Sequence, residues 1–401
     1  MKKIFKTALL VLSALAVSGI FSSCGMKTYD GDLRVRYDYD LTDYLKPGKY
    51  SGIEIYVGST DVSDEELKNL VNRNRVFGCD WTDIYDRPCK EGDIVGISYQ
   101  AYTLEEGKDK SERLISSISK GFKNGEPMED LEGSSKVRSI VLGCEEVLPG
   151  LDAELIGNFS VGDRKTVRLT VPEPSWYYPE YAGQEIELDV ILTYIQEIDY
   201  KEYNDEYTSE NGYGDVESYE MSMMNTLIKN RASQVENYVN VRVWLQINDN
   251  FEVKKYPEKE LEEVRKHIIA SAQESADRAE KTLEEYVSEE YAQTMDEFNA
   301  DVEEQAKKTV KDEMIVYYIG RKEQIALTDP VYEEKALEKA QAEEFSDVEQ
   351  YVAYRAYYYG YADSGEELSE EARLHAENNL KEEIFYDMVD DFVYENTVQK
   401  N

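Results

Sequence analysis

Hydrophobic and polar residues alternate in the central part of the chain, between Glu91 and Glu197. Apolar runs with this period of two lie at 94–99, 140–142, 167–171 and 186–192. Such alternation indicates β-strands with one buried face. Glycines and turn dipeptides separate the runs, and the short stretch 151–156 fits a single helix. The pattern therefore predicts a small antiparallel sheet with one short helix packed across it.

After Asp199 the apolar residues recur at the three- and four-residue spacing of an α-helix. Asp215 is a suitable N-cap for a first long helix, and Pro257 suits the first turn of another. Further helices are predicted at about 284–290, 296–325, 328–342, 346–359 and 369–397. The expected fold class is therefore α+β, with the antiparallel sheet followed by an all-helical domain over 199–401.

One strand and one helix are predicted in front of the sheet. Apolar and polar residues alternate over 53–57, and Ser63-Asp-Glu-Glu66 has the capping-box pattern that opens a helix. Residues 45–90 are therefore interpreted as a run-in segment that leads into the sheet domain, 91–198. Residues 24–44 are polar and tyrosine-rich without a clear period, which predicts a flexible tether.

The first 23 residues have the layout of an export signal. Three lysines within the first six residues precede an apolar run from Ala8 to Ile20, which is too short to span a bilayer comfortably. Small residues then lead to Cys24, an arrangement that resembles the lipobox in which the cysteine is diacylated. We therefore expect a lipoprotein, lipid-anchored to the cell membrane on its extracytoplasmic face. The alternative is an ordinary signal peptide that is cleaved nearby and leaves Cys24 free.

The amino-acid composition limits the partners and the kinds of catalytic site that the chain can have. The 84 acidic and 45 basic residues give a formal net charge of −39, which disfavours nucleic acid as a partner. Besides Cys24 the chain has Cys79, Cys89 and Cys144, without a CxxC pair, so neither a zinc site nor a redox motif is indicated. Whether Cys79 and Cys89 form a disulfide bond stays open. With only two histidines, most histidine-based catalysis is excluded, and we expect no metal and no cofactor.

Four separated motifs occur in the order seen in FKBP-type peptidyl-prolyl isomerase domains. They are Glu91-Gly-Asp-Ile-Val-Gly-Ile-Ser-Tyr99, Val141-Leu-Gly143, Glu146-Val-Leu-Pro-Gly-Leu151 and Val161-Gly-Asp163. The flanking stretches 48–55, 62–67 and 87–93, and 282–286 and 325–329 in the helical part, resemble the folding factors called trigger factors. The resemblance covers roughly 45–397. Trigger factors begin with a ribosome-docking domain, for which 24–44 is too short, so we expect no ribosome binding.

The resemblance implies a pocket that binds a proline ring with its amide twisted. Tyr99, Glu129 and Tyr177 would be the catalytic residues, with Trp176 as the alternative pocket aromatic. The other substrate-binding residues would be Met128, Ile140, Val147, Leu148, Leu151, Trp176 and Leu188. Met128, Leu151 and Leu188 stand at positions that are usually aromatic in the family, which implies looser proline binding. The buried aliphatic residues would serve equally as ordinary core, and Glu129 as an acidic surface residue.

The function expected from the resemblance is that of an extracytoplasmic foldase. It would isomerise X-Pro bonds in unfolded or newly exported polypeptides, and its tyrosine- and methionine-rich helices would hold these chains. One alternative is a pure holdase whose isomerase domain is inactive. A weaker alternative is a surface lipoprotein that captures a ligand through its tyrosines.

Overall fold

The computed structural model describes residues 36–105, 107–123, 126–127, 137–291, 293–359 and 368–401. These residues form two compact units. One, which we call the helical unit, comprises 36–55 and 242–398; the other, the sheet unit, comprises 56–241 and 399–401. The border therefore differs from the predicted one at 198/199, because residues 199–241 pack with the sheet. The predicted run-in segment is likewise divided after Ile55.

Strands predominate in the first half of the chain, and helices dominate the second. The strands are β1 (Leu45–Lys46), β2 (Glu54–Tyr56), β3 (Asp80–Asp83), β4 (Ile94–Thr103), β5 (Leu114–Lys120), β6 (Phe122–Lys123), β7 (Glu126–Pro127), β8 (Arg138–Val141), β9 (Arg164–Thr170), β10 (Glu185–Asp199), β11 (Glu252–Val253) and β12 (Val398–Lys400). The helices are α1 (Asp64–Asn74), α2 (Leu151–Leu155), α3 (Asp205–Glu210), α4 (Val216–Asn250), α5 (Glu258–Arg278), α6 (Leu283–Glu290), α7 (Met295–Lys322), α8 (Asp329–Ala342), α9 (Val348–Tyr358) and α10 (Glu370–Glu395).

The sheet unit is built around β10, which pairs antiparallel with β3, β4 and β9. Strand β4 in turn pairs with β5 and β8, so that six strands form one antiparallel sheet. Each of the four predicted apolar runs lies in a strand. Burial alternates along β10, where Leu188 and Val190 are buried, whereas β4 is buried on both faces. Strand β5 was not predicted. Its buried residues Ile115 and Ile118 are three apart, which breaks the period of two next to a register shift against β4.

Helix α1 begins as its sequence predicts. The Ser63 side chain accepts a hydrogen bond from the Glu66 backbone, and the Glu66 carboxylate accepts one from the Ser63 N–H at 2.9 Å. The N-cap predicted at Asp215 is also confirmed, since its carboxylate accepts from the Ser218 N–H at 2.8 Å. Local hydrogen bonds of this kind explain why these helix starts are visible in the sequence.

The helical unit consists mainly of α5 to α10. Helix α5 packs on α7, and α8, α9 and α10 pack on one another. A buried cluster of small and aliphatic residues joins α8, α9 and α10: Ala336, Ala340, Tyr351, Val352, Ala356, Ala376, Leu380 and Ile384. The five helices predicted after 284 correspond to α6 to α10, with ends that differ by three residues at most. None of the helices in the described ranges has both the length and the apolar character needed to cross a membrane.

The segment just before β1 is packed against the helical unit. Arg36, Tyr37 and Leu41 are almost completely buried there, and β1 pairs with β11. The prediction of a flexible tether over 24–44 is therefore wrong for 36–44, because Arg36 and Tyr37 bond to the buried Glu313. Cys24 and the rest of the predicted tether lie outside the described residues, as does the predicted signal segment.

Candidate functional site

Most residues of the predicted pocket lie in the sheet unit and are buried. Strand β4 carries Tyr99, and the loop before α2 carries Val147 and Leu148. Ile140, Leu151 and Leu188 are also buried, on β8, α2 and β10. Burial suits both an apolar pocket floor and an ordinary core, so these assignments stay predictions. Met128 and Glu129 lie outside the described residues.

The loop that carries Val147 and Leu148 is shaped by the carboxylate of Asp152. This side chain, buried on α2, accepts hydrogen bonds from the backbone N–H groups of Gly143 at 2.7 Å and Glu145 at 3.0 Å. Burial raises the pKa of Asp152, and the hydrogen bonds from the backbone oppose that rise. The loop ends at Gly150, whose φ of 89° is readily adopted only by glycine. The motif Glu146–Leu151 therefore has a defined backbone shape.

The loop between β9 and β10, which we call the aromatic loop, carries three successive aromatic residues, 176–178, that differ in exposure. Tyr177 is 73 % exposed, whereas Trp176 and Tyr178 are half-buried. The buried Ser175 holds the turn, since its hydroxyl accepts a hydrogen bond from the Tyr178 N–H at 3.2 Å. Tyr178 directly follows the two predicted pocket aromatics, Trp176 and Tyr177, and its phenol interacts electrostatically with that of Tyr99.

Arg138 connects Tyr99 with Tyr178. Its guanidinium lies close enough to both phenols for its charge to lower their pKa values, and it donates a hydrogen bond to the backbone carbonyl of Glu146. Sequence reasoning missed Arg138 and Tyr178, because the first looks like a surface charge at a strand end and the second has two aromatic neighbours. The run of aromatic residues 176–178 was a signal for the loop as a whole, and it did not single out Tyr178.

Both phenols are neutral near pH 7. Burial raises the pKa of Tyr99, and the charge of Arg138 only partly opposes this. Burial, reinforced by Tyr99, raises the pKa of Tyr178 to about 12. A neutral phenol keeps its O–H to donate. The arrangement can therefore offer neutral hydrogen-bond donors to a carbonyl group beside an apolar surface.

Trp176 lies against α4. Its ring meets that of Tyr238 edge-to-face, with centroids 5.4 Å apart, and the guanidinium of Arg231 lies 5.2 Å from its centroid. The structure thus gives Trp176 partners within the protein. Its predicted part in substrate binding stays a prediction.

Two open cavities of the sheet unit lie elsewhere, beside α4. One, of about 640 Å³, is lined by Leu67, Asp205, Asp215, Val216, Glu217, Glu220, Met221 and Met224. The other, of about 440 Å³, is lined by Ser218, Met221, Ser222, Asn225, Thr226 and Lys229. Neither cavity is lined by a predicted pocket residue. Both cavities are open to solvent, and the larger one lies between α1, α3 and α4.

Cys79 and Cys89, whose pairing the sequence left open, do not form a disulfide in the structure. Both thiols are free and buried, and they donate to the carbonyl groups of Arg75 at 3.0 Å and Leu155 at 3.1 Å. Cys144 is also a free thiol.

Comparison with known proteins shows similarity to trigger factors at low identity. The trigger factor of Caldicellulosiruptor bescii is 23 % identical over 296 residues, which are 73 % of this chain and 61 % of that protein. The trigger factor of Carboxydothermus hydrogenoformans is 24 % identical over 298 residues, 72 % of this chain and 62 % of that protein. That of Caldicellulosiruptor saccharolyticus is 24 % identical over 363 residues, 89 % and 73 % of the two chains. The chain thus spans less than two thirds of the length of the first two relatives.

No family model matches the chain. A solved structure described as "Promiscuous Substrate Recognition in Folding and Assembly Activities of the Trigger Factor Chaperone" covers 86 % of this chain and 73 % of its own, with 16 % identity and a TM-score of 0.29. The sequence similarity therefore carries the comparison, and it makes this a trigger-factor-like protein.

Proposed function

We propose that this protein is a foldase that accelerates the cis–trans isomerisation of X-Pro bonds and holds unfolded polypeptides. Similarity to trigger factors supports a role in protein folding. The observation that carries the isomerase part is the pair of neutral phenols, Tyr99 and Tyr178, near the charged guanidinium of Arg138.

Isomerisation requires little more than such a site. Rotation about the X-Pro bond faces a barrier of about 18–20 kcal/mol because amide resonance is lost, and the uncatalysed step takes tens of seconds or more. An apolar surface can bind the proline ring, and a neutral hydroxyl can donate to the carbonyl of the twisted amide, so that the transition state is bound better than the ground state. Met128 and Glu129 are proposed to complete this site, together with the buried residues of the motifs.

The test is cis–trans exchange of a proline peptide followed by NMR. We expect the protein to accelerate exchange, and Tyr99→Phe and Tyr178→Phe to slow it by about three- to tenfold, since each removes one hydrogen bond. Tyr177→Phe makes the same change at the exposed tyrosine of this loop and tests the role that the resemblance assigns to it. A loss confined to Tyr177→Phe would move the site to that residue. No acceleration at high protein concentration would leave a pure holdase.

Holding of unfolded chains is favoured by an exposed aromatic pair on α9. Tyr354 and Tyr358 are both exposed, and their rings are stacked with centroids 5.7 Å apart. Tyrosines can contact varied apolar partners while keeping their hydroxyls in water. We expect the protein to suppress aggregation of several unrelated unfolded clients, and the double change Tyr354→Ser and Tyr358→Ser to weaken this. Tyr85→Ser removes a tyrosine of the sheet unit that is even more exposed, and it serves as control. Binding that depends on a sugar, with no effect on aggregation, would favour the ligand-capturing lipoprotein.

The place of action is proposed to be the extracytoplasmic face of the cell membrane, through diacylation of Cys24. The support is the order of lysines, apolar run and cysteine at the start of the sequence. Metabolic labelling with a fatty-acid probe should mark the wild type and not Cys24→Ala. Labelling of neither would leave the ordinary signal peptide as the better interpretation.

A further inference from the structure

The aromatic loop is fastened to α4 through Trp176, and Arg231 extends this contact to α1. The guanidinium of Arg231 on α4 lies over the ring of Trp176. Tyr238, two helical turns further along α4, packs edge-to-face with the same ring. Arg231 also forms an ion pair with Glu66 of α1 and donates to the backbone carbonyl of Asp61 at 3.3 Å. The side chain of Arg231 is 11 % exposed, so these contacts are made largely away from water.

The ion pair is held in place from the α1 side. One carboxylate oxygen of Glu66 accepts the capping hydrogen bond from the Ser63 N–H, and the other accepts from Arg231. Beside it, Gly58 runs close to the aromatic loop: a Cβ on this glycine would lie 3.1 Å from Cδ of Pro174. The first part of the loop therefore lies against the chain before α1 and against α4, and Arg231 links α4 to α1.

Tyr178 follows Trp176 by only two residues. Its distance from the fastened part of the loop is thus about two peptide units, on the order of 7 Å of extended chain. A change in the position of Trp176 is transmitted to Tyr178 through this short piece of backbone, and Ser175 ties the same residues together by its bond to the Tyr178 N–H.

We infer that Arg231 and Trp176 form a clasp that positions Tyr178 for isomerisation, so that Arg231 is a positioning residue of the proline site although it does not touch the substrate. This inference rests on the proposed isomerase function. The proline site then depends on α4 as well as on the sheet and the motif residues, because α4 supports one of its two phenols.

A cation over an aromatic ring and a charge-assisted bond to a carboxylate are both retained in part by lysine and lost with methionine. We therefore expect Arg231→Met to lower the catalysed exchange rate by about three- to tenfold, the effect of one misplaced hydrogen bond, with peptide binding changed less than twofold. Arg231→Lys should recover part of the rate. Lys229→Met, an exposed change two residues away on α4, should leave the rate unchanged.

The decisive comparison is a double-mutant cycle. If Arg231 acts through Tyr178, Arg231→Met should lower the rate no further once Tyr178→Phe is present. If Arg231 only stabilises the fold, the two losses should multiply, and that result would overturn the inference. Fluorescence adds a readout that does not depend on activity. With Trp81 and Trp244 replaced by phenylalanine, acrylamide should quench Trp176 more strongly after Arg231→Met, and unchanged quenching would also overturn the clasp.

Different results would overturn the isomerase activity and the positioning role of Arg231. A wild-type protein without isomerase activity overturns the proposed function, and with it the role of Arg231 in catalysis. An active wild type in which Tyr178→Phe and Arg231→Met multiply their losses overturns the positioning role alone.

Discussion

The guanidinium of Arg36 donates a hydrogen bond to the carboxylate of Glu313 at 2.5 Å and joins two residues that are 277 positions apart. Both side chains are nearly inaccessible to water, with 1 % and 6 % of their surface exposed. The hydroxyl of Tyr37 donates to the same carboxylate oxygen at 2.6 Å, and Arg36 also pairs with Glu263 at 2.7 Å. The segment before β1 is therefore held by a buried charged network on α7 and α5.

Removing one member of this network should destabilise the helical unit. Glu313→Gln keeps the shape of the side chain but leaves Arg36 with less compensating charge, and breaking a buried pair costs about 3–5 kcal/mol. We expect a clear fall in the urea midpoint. Lys46→Ala, which removes the exposed pair with Glu252, is the control and should leave the midpoint nearly unchanged. Equal midpoints for wild type and Glu313→Gln would contradict the role of the network.

Gly320 is a helix residue whose replacement by alanine should be harmful. In an open helix the change would stabilise by about 1 kcal/mol. Here a Cβ would lie 2.7 Å from Cζ of Phe385 and 3.4 Å from Cγ2 of Val389, and overpacking typically costs about 1–3 kcal/mol. We expect Gly320→Ala to lower the unfolding free energy, as measured in urea. Adding Phe385→Leu should recover part of the loss, and a more stable single variant would contradict the close approach.

Asp312 should make the stability of the helical unit depend on pH. Burial raises the pKa of its carboxyl to about 6, although Lys308, Lys311 and a hydrogen bond from Asn248 oppose the rise. The folded state therefore binds the proton more tightly than the unfolded state, whose carboxyl has an ordinary pKa near 4. The stability that this group contributes is complete below pH 4 and is lost as the pH rises through 6.

The measurement is urea unfolding of wild type and Asp312→Asn between pH 4 and 7. The wild type should lose unfolding free energy relative to the variant as the pH rises, by on the order of 2 kcal/mol over the whole range. Comparing the two proteins cancels the titration of the other carboxylates. Parallel pH profiles would show that Asp312 titrates normally.

The three described cysteines should be unreactive in the native protein. Burial raises the pKa of the Cys89 thiol, and burial together with Glu146 and Asp152 raises that of Cys144 to about 12. The thiolate is the reactive form, and Cys79 is shielded by burial. We expect slow labelling by a thiol reagent at pH 8 and rapid labelling of all three in urea without reductant. A mass two units lower, with Cys79 and Cys89 unlabelled in urea, would instead reveal a disulfide.

Part of the candidate site was visible in the sequence. The motif residues Tyr99, Leu148 and Leu151 could be placed because the motifs and the alternation of β4 and β10 are local patterns. Arg138 could not be placed, since its partners are 39 and 40 positions away along the chain at Tyr99 and Tyr178. Nor could the sequence decide among three successive aromatics, whose directions depend on a turn and on helix α4.

The sequence by itself determined the class of the fold, most strands of the sheet, and the starts and ends of the helices. These depend on residue spacing and on capping bonds between residues at most four apart, such as Ser63 with Glu66. The tertiary structure alone decided the packing of residues 36–44, the division of the chain within α4, and the junction of Arg231 with Trp176. Each of these depends on contacts between distant segments, whose pairing follows from how whole elements pack and leaves no local pattern to be read.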